Sequence, residues 1–452
     1  MMENRYDRYK DSGVAWIGEI PEHWEIIKIK YILKNNSLKV GPFGSQLSGS
    51  DILSKGKYWI YNQRTVLDNN YSSCNSFISN EKYNDLIGFK VSAGDILLTT
   101  RGTIGKISRI PSIFNEGVIH PCIIRFNINE KILKYEILRY IFNDSDIVTN
   151  QVKYNSNSTT IDVIYSDTLK NIVLAYIPQK EQQSIAAYLD QKCGEIDELI
   201  TLQEEMITKL QSYKQSVITE AVTKGLDKNV PLKDSGIEWI GKIPEHWEVR
   251  RMKSIYNFGK GLSITKADLV DKGIPVISYG QIHSKLNIGT CIKDSLIRYV
   301  PKVFLENNNT SLVKKGDVIF ADTSEDLEGC GNCIYIDRDM LLYAGYHTII
   351  AKSISTSYNR YFSYLFQTDC WRFQIRRMVN GVKLFSIPQK LLASADLIVP
   401  STQEQQSIAD YLDQRCSEID ELISIKQQKI EKLKEYKKSL IFECVTGKRK
   451  VS

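Results

Sequence analysis

The sequence predicts an α+β protein with a pseudo-two-fold internal repeat: two mixed modules separated by two long helices, which pair as an antiparallel coiled coil. Three observations predict it. A lead segment of fifteen residues occurs twice at an offset of 223. A block of twenty residues occurs twice at the same offset. Apolar residues in and beyond that block recur at heptad spacing, the mark of a coiled coil.

The lead segment reads DSGVAWIGEIPEHWE over Asp11–Glu25 and DSGIEWIGKIPEHWE over Asp234–Glu248. The block reads EQQSIAAYLDQKCGEIDELI over Glu181–Ile200 and EQQSIADYLDQRCSEIDELI over Glu404–Ile423, with three of twenty positions changed. Between them, 26–178 and 249–400 barely resemble each other. A solenoid repeats every ~20–50 residues, so this longer period marks a duplicated domain pair. The expected division is a first module with its lead segment (1–178), a helix (179–226), a second module (227–400) and a helix (401–452).

The helices are justified by composition and punctuation. From Glu181 the chain is rich in helix formers, with no proline before Pro231. Leu189, Cys193, Ile196, Ile200, Ile207, Leu210, Val217 and Ala221 form a seam held for about five heptads, interrupted at Gln203 and Lys214. Leu412, Cys416, Ile419, Ile423, Ile430, Leu433, Leu440 and Cys444 form the second seam, interrupted at Lys426 and Lys437. Pro178 and Pro400 precede the helices, Gly225 and Gly447 follow them, and Ser401 with Glu404 makes a capping box. Roughly 43 residues at ~1.5 Å each give a helix of about 65 Å. Two equal seams in one chain predict pairing with each other, with polar seam residues such as Lys214 and Lys437 helping to set register. The rival arrangement is two separate helices, each packed on its own module.

The modules mix short β-like runs with helical stretches. The first has Lys57–Tyr61, Gly94–Thr100 and Val118–Phe126, then a helical stretch over Glu130–Phe142. The second has Ile274–Tyr279, Gly316–Asp322, Cys333–Ile336 and a helical stretch over Tyr358–Val379. Each contains a Gly-Asp step before an apolar strand, Gly94-Asp95 and Gly316-Asp317, which points to a shared fold. Their loops carry hydrogen-bonding and basic residues: Lys39, Ser45, Gln46, Arg64, Arg101, Lys106, Lys153, Asn155 and Ser158 in the first module. The second has Lys260, Ser263, Lys266, Gln281, Arg372, Arg376, Arg377 and Lys383. Such groups on glycine-rich loops suit phosphates and base edges, although any one of them is equally at home on a solvated surface.

Several functions are excluded or disfavoured. At 452 residues there is material for roughly three domains, and 42% apolar with 25% charged residues is ordinary for a globular protein. A net charge of +6 permits an anionic partner without demanding one. No run approaches the ~18 apolar residues of a membrane span, and the polar start MMENRYDRYKD is not a signal peptide. The nine cysteines lack framework spacing, so free thiols in a reducing cytoplasm are expected. There is no adenine-methyltransferase N-P-P-Y motif and no Walker A loop; Gly102-Thr-Ile-Gly105-Lys106 has the wrong spacing. Cys330-Gly-Asn-Cys333 is a lone C-x-x-C better read as a turn than as a metal site, so no metal is expected. His23 and His246 lie beside acids but lack further ligands, and Trp16, Trp24, Trp239 and Trp247 read as anchors against the helices or a partner. No catalytic set emerges.

These residues resemble the specificity (S) subunit of Type I restriction–modification systems. The resemblance rests on the duplicated W-I-G-x-I-P-E-H-W segment, the Gly41-Pro-Phe-Gly-Ser45 loop, the G-D-I-L strand, and P-x-x-E-Q-x-x-I opening a long helix, with one extra residue in the second copy. It covers essentially the whole chain. The glycine loop has no literal second copy; Phe258-Gly-Lys260-Gly-Leu-Ser263 stands in its place. The resemblance implies that each module is a target recognition domain reading one half of a split double-stranded DNA sequence. It implies that the helices set the gap between half-sites and, with the lead segments, dock two modification subunits. Those subunits hold S-adenosylmethionine, and restriction (motor/nuclease) subunits join for cleavage. The chain itself is then expected to be a cytoplasmic, non-catalytic binding subunit with no cofactor of its own, and its dissimilar modules imply an asymmetric target. The rival from another class is a coiled-coil scaffold without DNA readout.

Overall fold

The computed structural model describes residues 5–155, 163–306, 308–354, 360–381 and 383–451. The chain forms two compact units, Met1–Gln203 with Gln428–Ser452, and Glu204–Gln427. Each unit therefore holds one module and one half of each long helix.

The first unit has a four-stranded antiparallel sheet in the order Lys39–Val40, Ile123–Phe126, Ile96–Thr99, Ile107–Arg109. A second sheet places Tyr58–Tyr61 between Phe77–Ile78 and a parallel neighbour, Gly117–Ile119. The second unit repeats this plan. Its antiparallel sheet runs Tyr256–Lys260, Thr348–Ser353, Val318–Ala321, Cys333–Tyr335. Its other sheet pairs Ile274–Ile277 with antiparallel Arg298–Val300 and parallel Leu342–Ala344, and adds Leu312–Val313. The central strands ILLT and VIFA are buried at every position, so they need apolar bulk rather than particular side chains. That is how one topology survives in sequences that barely align.

The Gly-Asp step has a structural cause. Gly94 and Gly316 sit at φ of 84° and 95°, where glycine turns the chain without strain. The buried Asp95 carboxylate then accepts from the Ser92 N–H at 2.7 Å and the Asn127 amide at 2.6 Å. Asp317 accepts from the N–H groups of Lys314 at 3.0 Å and Ser353 at 3.2 Å.

Two expected elements divide. The Val118–Phe126 run is two strands, because His120-Pro121-Cys122 turns between them and Pro121 has no N–H to donate. The helical stretch over Tyr358–Val379 is two helices, Arg360–Leu365 and Asp369–Met378; Thr368 caps the second by accepting from the Trp371 N–H, and Tyr358 itself lies outside the described residues. The stretch over Glu130–Phe142 contracts to a helix over Tyr135–Arg139 that continues as a wider π-type turn to Asp144.

The long helices span Gln179–Lys224 and Thr402–Val445, 46 and 44 residues. Every seam residue named above is buried or half-buried, including Gln203, Lys214, Lys426 and Lys437. Within the first unit Asp197 pairs with Lys437, and Tyr188 bonds Arg449 beyond the second helix, so numbers rise along one segment as they fall along the other. Within the second, Lys214 pairs with Asp420 and Tyr213 with Arg415. In the first unit the segments are thus antiparallel, as the paired seams predict. Lys214 Nζ lies 2.7 Å from each Asp420 oxygen, and Lys437 Nζ 2.7 Å from each Asp197 oxygen. Two of the four polar interruptions, Lys214 and Lys437, thus make the same ion pair at equivalent positions. Among the described residues, no helix is long and apolar enough to cross a membrane.

Candidate nucleic-acid interface

A repeated set of contacts ties each module to its helices. Trp24 and Trp247 are fully buried. The Trp247 indole donates to Glu404 at 3.0 Å, and that of Trp24 lies 3.4 Å from both Glu181 oxygens. His23 and His246 approach the same carboxylates at 2.8 Å. Burial would raise the Glu404 carboxyl, but hydrogen bonds from Trp247, Ser401 and His246 outweigh it and hold the group at about 2. Gly447, at φ 73°, ends the second helix where any Cβ would overlap Pro21, behind Trp24. The lead segments are therefore clamps on helix ends. Trp16 and Trp239 are half-buried and pack at a tilt against their modules, on Tyr154 and Phe373.

A helix carboxylate anchors each module a few turns further on. Asp190 accepts from Tyr140 at 2.6 Å and Arg139 at 3.1 Å. Asp413 accepts from Tyr364 at 2.6 Å and Arg360 at 2.5 Å. A further repeat lies hidden in the divergent sequence. The Gln151 side chain bonds both backbone groups of Val173, and Gln374, at the 223 offset, does the same to Asp396.

Against this frame, each unit gathers a set of loops at one end of its sheets. In the first, the His120 N–H donates to the Tyr61 carbonyl at 3.0 Å, the Thr100 N–H to Cys122 at 3.0 Å, and the Gly41 N–H to Ile123 at 2.9 Å. These bonds join the segments Gly41–Gln46, Tyr61–Arg64, Thr100–Lys106 and His120–Cys122. A Cβ on Gly41 would overlap the His120 carbonyl, so the first glycine of Gly41-Pro-Phe-Gly-Ser45 is a close-approach position. In the second unit, the Tyr279 N–H donates to Tyr346 at 3.3 Å, the Asp322 N–H to His347 at 3.1 Å, and the Gly261 N–H to Thr348 at 3.1 Å. A Cβ on Gly261 would overlap the Gly345 carbonyl, so Gly261 repeats the constraint of Gly41.

The structure sorts the expected site residues. Ser45, Gln46 and Arg101 are exposed on the first loop set, Arg64 is exposed on the adjoining helix Gln63–Asp68 and pairs with Asp68 at 3.2 Å, and the Gln46 side chain accepts from the Phe43 N–H at 3.0 Å. Lys39 is half-buried with its ammonium 4.5 Å above the Phe89 ring. Lys106 donates to the Asn143 carbonyl, inside its own module. Lys153 is exposed on the helix Ile147–Asn155, which Asn155 closes; Ser158 lies outside the described residues. On the second set Lys260, Ser263 and Lys266 are exposed, and Gln281 accepts from the Ser278 N–H at 3.0 Å. Lys383 is exposed in the loop before Phe385–Ser386.

Of the expected arginine group, Arg372 and Arg376 are engaged within their own module and Arg377 is exposed. Arg372 donates to the Phe366 carbonyl, Asn332 and Gln367 at 2.9, 2.7 and 2.6 Å, and burial lowers its pKa. Arg376 pairs with Asp369 at 3.0 Å and donates to the Glu328 carbonyl at 3.0 Å. Arg377 lies 3.6 Å from Glu238 and over the Trp239 ring. The two residues four apart do share a face, but Glu328 and Asn332, from the segment ahead of strand Cys333–Tyr335, meet that face. Sequence spacing cannot register such a contact.

Sequence reasoning missed His120, Asp322, Tyr346 and His347. The signal was present: His120-Pro-Cys-Ile-Ile and His347-Thr-Ile-Ile each place a histidine just ahead of the strand paired with the Gly-Asp strand. Burial lowers the pKa of His120, and its Nδ1 accepts from the Cys122 N–H at 3.1 Å. Among the described residues, no group of three or more His, Cys, Asp or Glu could hold a metal ion.

A family model described as the Type I restriction modification DNA specificity domain matches residues 21–211 and 244–435, once in each repeat. The MjaVIII specificity subunit of Methanocaldococcus jannaschii, a Type I restriction enzyme, is 23% identical over 447 residues, spanning 96% of this chain and 94% of the relative. The fold is similar to that of the HsdS subunit from Thermoanaerobacter tengcongensis (TM-score 0.52, 13% identity, 95% and 98% of the two chains). It is also similar to a chain solved in work on complex assembly and conformational transition of the type I R-M system (TM-score 0.67, 14% identity, 94% and 98%). The chain belongs to the Type I restriction modification DNA specificity family, as a member carrying two copies of the domain. Its function is that of a DNA sequence-specificity subunit, and the scaffold alternative is not favoured.

Proposed function

We propose that each loop set reads one half of a bipartite, asymmetric duplex target, with modules over 1–178 and 227–400 and helices over 179–226 and 401–452 setting the gap. The observation that carries this reading is one topology presented twice on a duplicated frame, with different residues on equivalent loops. The DNA-facing set comprises Lys39, Ser45, Gln46, Arg64, Arg101, Lys153, Asn155 and Ser158 in one module and Lys260, Ser263, Lys266, Gln281 and Lys383 in the other. Arg377, exposed beside Glu238, joins the second set, while the side chains of Lys106, Arg372 and Arg376 are engaged within their own modules and would act by shaping them.

Catalysis belongs to partners rather than to this chain. Each unit exposes matched apolar residues off the seam: Leu199, Leu202 and Tyr436 in the first, Leu422, Ile425 and Tyr213 in the second. Exposed apolar groups repeated at one offset support docking of two identical modification subunits, which bring S-adenosylmethionine, with restriction subunits joining them in the cytoplasm. Mobility shifts of the reconstituted methyltransferase on duplex libraries test the proposal. The expected result is selection of two half-sites across a fixed gap, with Arg101→Ala reducing the slope of log affinity against log salt by about one unit. Selection of one continuous site would overturn it.

A further inference from the structure

We propose that His347, aimed by Asp322, reads a base in the second half-site by presenting an imidazole acceptor to the exocyclic amino group of an adenine or cytosine. The inference rests on the DNA-reading role of the second loop set.

The backbone is the first observation. Three described non-glycine residues have positive φ: Asn36, Asn69 and His347. Asparagine tolerates this region readily, and Asn69 is simply the left-handed cap of the helix Gln63–Asp68. His347, at φ 52°, has no such local reason. A left-handed conformation away from a helix cap or glycine persists only where neighbours enforce it. Here they do. The Gly345 carbonyl accepts from the Thr348 hydroxyl at 2.7 Å, and a Cβ on Gly345 would overlap the Ser278 hydroxyl. The Asp322 N–H donates to the His347 carbonyl, and the Asp322 carbonyl accepts from Ile387 at 2.7 Å.

The side chain is the second observation. His347 is exposed, yet its ring is fixed on two sides. Nδ1 lies 3.2 Å from Asp322 Oδ1, and Tyr279 meets the ring edge-on at 5.5 Å. An ionised carboxylate only accepts, so Nδ1 carries a proton, and in the neutral ring Nε2 then presents its lone pair outward. In the major groove the donors that match an acceptor are adenine N6 and cytosine N4. The exposed Lys260 ends the strand beside this turn, where it suits a flanking phosphate. At the equivalent position the first module has Cys122, whose carbonyl accepts from the Thr100 N–H as that of His347 does from Asp322, so this imidazole belongs to the second module alone.

The test maps methylated adenines genome-wide in a strain carrying the intact chain with its modification partner. His347→Gly keeps the backbone comfortable and deletes only the ring. It should relax one base pair of one half-site, lowering discrimination there on the order of 10- to 100-fold, while the other half-site and the gap stay as they were. Asp322→Asn lets the ring take the other tautomer, so preference at that same base pair should shift rather than vanish. An unchanged motif in His347→Gly overturns the proposal, leaving a turn residue. So does loosening at many positions or in both half-sites, which marks a structural role. If the wild-type chain directs no bipartite methylation at all, the reading of the loops as DNA readers fails instead.

Discussion

In the first unit the helix carboxylate Asp190 takes up Arg139 and Tyr140, adjacent in sequence; in the second, Asp413 at the same repeat position takes up Arg360 and Tyr364, a helical turn apart. The lead segments behave otherwise: His, Trp and the Glu they meet are kept on both sides in both units. The contrast separates three zones. Contacts internal to the frame are duplicated residue for residue. Contacts between frame and module keep the frame's half and change the module's half. The loops gathered at one end of the sheets share topology alone.

The largest test of this comparison is Trp24→Ala against Trp247→Ala. Both rings are fully buried, and each loss should cost about 3–5 kcal/mol, measured by denaturant unfolding. The costs should match within ~1 kcal/mol; a large mismatch would break the claim of an equivalent frame. Next come Asp190→Ala and Asp413→Ala, where the units should differ. Arg360 is the more buried cation, 16% exposed against 35% for Arg139, and Arg139 keeps Asp144 nearby. We expect about 3 kcal/mol for Asp413→Ala and about half that for Asp190→Ala, an estimate from the cost of stranding a hydrogen-bonded charge. Equal costs would show that the module's half does not matter. The smallest effect is the pair of Lys–Asp clamps. Double-mutant cycles of Lys214 with Asp420 and of Lys437 with Asp197 should each give ~1 kcal/mol or less, falling with salt, because both aspartates are half exposed. Coupling in one unit alone would show that the register is set asymmetrically.

Much of this architecture was legible in the sequence. The 223-residue offset revealed the frame, and the heptad steps gave both helices, their polarity of pairing and the two lysines that meet acids. Helix ends were legible because Pro178, Pro400, Gly225 and Gly447 act locally. The modules were less so, since strands buried on both faces require only apolar bulk, and their order depends on long-range pairing that leaves no periodic trace. The site was the least legible part. Arg372 and Arg376 looked like surface cations, and only the fold shows Asn332 and Glu328 against them. His347 drew no notice because its meaning depends on a φ of 52° and on Asp322, twenty-five residues away.

The central claim is that the repeated parts form the frame and the divergent parts do the reading. It is tested most directly by replacing residues 249–400 with a second copy of 26–178 and mapping methylation in a strain that supplies the modification subunit. The account predicts that the original asymmetric target disappears and that a palindromic one, built from the first half-site twice, takes its place. Retention of the original target by the swapped chain would contradict it.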